Sequence, residues 1–135
     1  MTLVVPNVGE QKFLRYGLNV GVAEDQIIKL FQNNYTPTET DTVASFTEAN
    51  FTGYAQVSLP GSGWSIVSSG VTTATHSTTA SFVSSVDQTA QNIYGYYVIG
   101  ASTGVLLWAE RFTGAPFIIA ANGDTINVTP KITAD

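Results

Sequence analysis

The sequence predicts an all-β fold: an antiparallel β-sandwich, jelly-roll-like or a barrel, with one or two short helices in the N-terminal third. Three observations carry this. Short runs of Val, Ile, Thr, Tyr, Phe and Trp recur at even spacing from residue 26 onward, roughly eight or nine of them, and such residues suit pleated, half-buried strands. Turn-forming clusters separate them, at 59–63 (LPGSG), 100–104 (GASTG) and 122–124 (NGD). Helical spacing and helix-start signals are confined to the first third.

The chain opens on a β-prone run, 2–5, stopped by Pro6. A helix is expected over 8–18, with Asn7 as cap, Glu10 completing a capping box, and Gly17 and Asn19 at the exit. Phe13, Leu14 and Leu18 form its expected inward face. Residues 1–19 thus read as a candidate N-terminal arm on a single β-rich domain spanning 1–135.

In the strand expected at 26–32, Ile28 and Leu30 point one way and Ile27, Lys29 and Phe31 the other. A loop over 33–40 leads to a short helix, 42–48, capped by Asp41 or Thr40, with Val43 and Phe46 inward. Strands follow at 51–59 and 64–68. The Ser/Thr-rich stretch 68–85 is spaced by apolar residues and reads as one or two strands, the clearest at 79–84. Residues 92–99 and 105–112 form a hairpin; 116–120 is a short strand. The closing strand, 125–133, contains Pro130, which requires an edge or a bulge.

A length of 135 residues suits one domain. Only 11% of residues are charged, against about 25% in a typical chain, so the surface must be covered largely by uncharged polar groups. Little charge repulsion opposes close contact between such surfaces, which favours assembly. The net charge is −5, and the five Lys and Arg residues are scattered, so no basic stripe exists for nucleic acid. No cysteine is present, and no apolar run approaches the ~20 residues of a membrane helix. The N-terminal stretch lacks the basic and apolar regions of a secretory signal, so synthesis in a cytoplasm is expected.

No catalytic residue, cofactor or metal ligand is expected. His76 is the lone histidine and reads as a solvent-facing strand or loop residue. Glu39, Asp41 and Glu48 cluster around the short helix, where capping explains the acids at its start. Tyr94, Tyr96 and Trp108 form a candidate aromatic platform, although aromatic cross-strand pairs also stabilise ordinary sheets. Glu110 and Arg111 are adjacent on a strand, so they diverge to opposite faces. They are candidate contacts to another subunit, together with Val4, Val5, Phe13, Arg15 and Tyr16 of the arm.

Four segments, 29–41 (KLFQNNYTPTETD), 46–59 (FTEANFTGYAQVSL), 94–112 (YGYYVIGASTGVLLWAERF) and 122–133 (NGDTINVTPKIT), occur in an order and texture that resembles small virion structural proteins of tailed bacteriophages of the aquatic type. The resemblance covers around half the chain and carries no catalytic motif. It implies a capsid decoration (cement) protein on the virion surface, with the major capsid protein as partner and a homo-oligomer, a trimer by analogy. A tail or head-tail connector component is the alternative place in the particle. A carbohydrate-binding module for host recognition is the alternative function. Neither nucleic acid nor membrane is an expected partner.

Overall fold

The chain runs through α1 (Asn7–Gly17), β1 (Gln26–Phe31), β2 (Val57–Leu59), β3 (Trp64–Ser69), β4 (Val71–His76), β5 (Ala80–Val83) and β6 (Gln91–Ile93). It continues through β7 (Gly95–Gly100), β8 (Leu106–Arg111), β9 (Phe117–Ile119), β10 (Thr125–Val128) and β11 (Lys131–Ala134). This computed structural model describes residues 3–134. Every strand pairing is antiparallel, and the fold is all-β and sandwich-like with one α-helix near its N-terminus, as predicted.

β1 organises the centre. Its alternation divides the core, since successive strand side chains point to opposite faces. Ile28 and Leu30 pack with Phe51, Leu59, Phe82, Val98 and Trp108 on one face. Phe31 and Ile27 pack with Phe46, Tyr97, Ile99 and Leu106 on the other. The sheet order is β2-β1-β7-β8, and β7 is buried along its whole length.

Two bent ribbons complete the fold. β4 pairs with β11 and β5 with β10, so the chain pair 71–83 and 125–134 is one ribbon broken near Pro130. The predicted strand 125–133 is therefore two strands in two sheets. Proline has no N–H for a ladder, and the chain changes sheet there. The run 92–99 divides likewise: β6 pairs with β9, and β7 pairs with β8. At the break, the Tyr94 amide donates to Phe31 and its carbonyl accepts from Phe112.

Other expectations need correction. Asn7 lies inside α1; Pro6 holds the cap position, and no side-chain capping bond forms. The helix expected at 42–48 is only a 3-10 turn, Val43–Ser45, boxed by Thr42 and Ser45 and not capped by Asp41 or Thr40. The strand expected at 51–59 shrinks to β2. Gly53 adopts φ 97°, a left-handed value that bends the backbone. The Thr52 carbonyl instead accepts from the Ser85 amide. Eleven strands stand among the described residues, because proline and tyrosine breaks divide longer runs.

α1 docks on β8 through its backbone. Pairing leaves Leu107 as an extra residue between the Val98–Trp108 and Ile99–Leu106 pairs, a β-bulge. A Cβ on Gly9 would collide with the Leu107 carbonyl. Gly9, Phe13 and Tyr16 share one helix face by their i, i+4, i+7 spacing. Phe13 stacks on Trp108 at 6.3 Å between ring centroids. Leu14 and Leu18 consequently point outward, 64% and 71% exposed, reversing the inward face expected for them.

Candidate interaction surface

Most of the polar groups singled out in the sequence are engaged inside the chain. His76 is buried, not solvent-facing. Its Nδ1 accepts from the Thr78 amide at 3.0 Å, which leaves Nε2 to carry the proton and donate to the Pro60 carbonyl at 2.9 Å. Trp64 meets the ring edge-on at 5.0 Å. A histidine with both nitrogens engaged is a brace between β4 and the 60–63 turn.

The carboxylates are similarly occupied. Asp41 is buried and accepts from the Tyr35 hydroxyl at 2.6 Å and the Thr38 amide at 2.7 Å. Burial alone would raise its pKa, but these bonds outweigh it and hold the group below its ordinary value. Glu48 pairs with Lys29 at 3.0 Å and accepts from the Tyr54 hydroxyl at 3.0 Å. Glu39 remains exposed beside a groove of about 690 Å³ that it shares with Glu10, Pro37 and residues 3–5.

Glu24 is the most heavily bonded acid, although the sequence gives it no motif. It accepts from the Tyr16 hydroxyl at 2.8 Å, the Ser102 amide at 2.6 Å, and the Thr103 amide and hydroxyl at 2.9 and 2.7 Å. Lys12 stands at 3.4 Å. Burial opposes the charge, but the Thr103, Tyr16 and Ser102 bonds prevail and hold its pKa down to about 2. The result is a clamp between α1 and the turn joining β7 to β8. Tyr16, expected to touch a neighbour, is part of this clamp, and its own hydroxyl is pushed up to about 12 by burial and by Glu24.

The remaining contact candidates also meet their own chain. Val4 exchanges two 2.9 Å backbone bonds with Ala109, and Val5 packs on the core. The arm thus lies on the body; residues 1 and 2 fall outside the described residues. Glu110 accepts from the buried Tyr96 hydroxyl at 2.8 Å. Arg111 donates to the Tyr35 carbonyl at 2.8 Å and lies over the Tyr94 ring at 5.0 Å. The two do diverge to opposite faces, yet each finds its partner within the chain. Arg15 is exposed, and Phe13 is exposed along one edge. The aromatic platform is absent from the surface: Tyr96 and Trp108 are buried core residues, and Tyr94 is half-covered. The Trp108 indole N–H lies near the Tyr96 hydroxyl without a well-formed hydrogen bond.

The outward face carries few charges, Glu10, Arg15, Glu39 and Lys131 among them, and many large apolar side chains. Leu14 on α1 and Leu18, Val20 and Val22 just after it are exposed. The β3–β4 hairpin exposes Ile66, Val67 and Val71. β9 exposes Phe117 and Ile118, neighbours on its two faces. Among the described residues no group of three or more His, Cys, Asp or Glu side chains is arranged to hold a metal. No helix among them is long and apolar enough to cross a membrane. No family model matches the chain, and no curated protein matches it either.

Proposed function

We propose that this chain is a structural protein of a phage particle, most specifically a decoration protein that attaches to the outside of the head and stabilises the shell. The observation that carries the reading is the division of labour on the surface. Polar groups able to do chemistry brace the fold, while large aliphatic side chains at 14, 18, 20 and 22 stand mostly exposed. Exposed apolar surface is where proteins meet other molecules. The ordered resemblance of four segments to virion proteins supports the choice of partner, the major capsid protein. A charge-poor surface supports close packing of repeated copies.

The outward face of α1, with Leu14 and Leu18, is the surface assigned to the shell. Purified protein is expected to bind expanded heads and raise their melting temperature. Leu14→Asp with Leu18→Asp should abolish attachment while the circular dichroism of the isolated chain stays unchanged. A wild-type protein that leaves heads unbound and unstabilised overturns the reading. Copy number separates the two places in the particle: hundreds of copies indicate decoration, whereas six or twelve indicate a connector or tail component. Tyr96 and Trp108 are buried and Tyr94 is half-covered, so these three do not form an exposed stacking surface for a sugar.

A further inference from the structure

Sheet edges carry unpaired N–H and C=O groups that template pairing with another strand, and proteins blunt them with charges, prolines, bulges or covering segments. Among the described residues only two edge strands have six residues, β3 and β8; the others have three or four. The outer side of β8 is met by Val4. β11 starts with Lys131 directly after Pro130, and β2 runs into Pro60. β3, Trp64–Ser69, has none of these devices. It contains no proline and no charge, and its exposed Ile66 and Val67 point to opposite faces, 71% and 59% accessible. The gap in charge extends well beyond the strand: no Asp, Glu, Lys or Arg occurs between Glu48 and Asp87. The β3–β4 hairpin is a neutral finger on an acidic body.

We propose that β3 pairs antiparallel with β3 of a second copy across a twofold axis, forming a continuous six-stranded sheet from two β11-β4-β3 sheets. Three arguments select a second copy as the occupant. An antiparallel edge is self-complementary under a twofold, because each strand offers the other the same pattern of donors and acceptors. The charge distribution permits it here, since two bodies of charge −5 repel, and this finger is where they meet with no like charges opposed. The flanking Ile66 and Val67 of both copies then cover one another on the two faces of the seam. Six residues give about 20 Å of edge. That is short of a standard interface, so the dimer is weak, with a dissociation constant on the order of 0.1 mM.

The inference does not rest on the virion reading, because self-association is measured in buffer with no shell present. Sedimentation equilibrium of the wild-type chain should show monomer and dimer exchanging with concentration. Ile66→Lys should weaken the dimer at least tenfold, while Ile118→Lys, also exposed but off this edge, leaves it unchanged. The chain has no cysteine, so single replacements report proximity directly. Among Ser65→Cys, Ile66→Cys, Val67→Cys and Ser68→Cys, those nearest the axis should form a disulfide-linked dimer on mild oxidation, whereas Ile118→Cys should not. These variants decide the matter if Ile66→Lys perturbs the circular dichroism. A wild-type chain that remains monomeric to about 1 mM, a dimer indifferent to Ile66→Lys, or cross-linking as efficient at 118 as along β3 each overturns the proposal.

Discussion

At the scale of single residues, the most consequential side chain is Glu24. Its four close bonds hold α1 to the β7–β8 turn. Glu24→Gln keeps the shape but weakens acceptance from two amides and two hydroxyls, at a cost on the order of 2 kcal/mol. Faster hydrogen exchange at the Ser102 and Thr103 amides checks this. The pH dependence has a definite sign. A carboxyl whose folded pKa is depressed from 4.5 to about 2 contributes stability above pH 4.5, lost as pH falls through that interval. Wild-type chain should therefore lose stability on acidification toward pH 2, and Glu24→Gln should show less of that loss. Glu110 makes a second test. Glu110→Ala leaves the buried Tyr96 hydroxyl without its acceptor, so it should lower stability by about 1–3 kcal/mol in urea unfolding. Glu24 does not announce itself in the sequence, because a clamp assembled from residues 12, 16, 24, 102 and 103 has no local spacing to read; Glu110 stands out there, but its pairing with Tyr96 does not.

At the scale of elements, the legible parts are those whose neighbours impose a period. β1 shows its two faces because both are covered by core and alternate side chains choose between them. Pro130 announces a break because it lacks an N–H, although not that the chain changes sheet there. The docking of α1 is illegible for an opposite reason. It runs through Gly9, and a missing side chain gives no apolar signal, while the visible apolar stripe points outward. Two identical substitutions in this helix should accordingly differ in sign. Gly9→Ala drives a methyl into the Leu107 carbonyl and should cost about 1–3 kcal/mol. Gly17→Ala meets nothing within 4 Å and should gain up to about 1 kcal/mol from helix propensity. Thermal melts of the two variants against wild type check the pair.

At the scale of the whole molecule, the core encloses polar groups that must stay neutral. Tyr54, Tyr96 and Tyr97 all have pKa values raised mainly by burial, with the Glu48 carboxylate adding to it at Tyr54 and Tyr97 and Glu110 at Tyr96. A raised pKa means stability that persists below the ordinary tyrosine range and is lost above it. Spectrophotometric titration should show these three ionising only as the chain unfolds in alkali, in a step coincident with loss of circular dichroism. Gradual ionisation without unfolding would contradict the buried placement.

The contact between the two tryptophans has an optical consequence. Trp64 belongs to the β3–β4 hairpin and Trp108 to the central sheet, and their rings meet edge-on at 5.9 Å. Two indoles at that separation couple their excited states, so the chain carries a built-in chromophore pair spanning the joint between two sheets. Its coupled band in the circular dichroism spectrum should vanish in Trp64→Phe and in Trp108→Phe alike. In the intact chain it should survive for as long as the hairpin stays seated, reporting in real time whether that finger moves when a partner arrives.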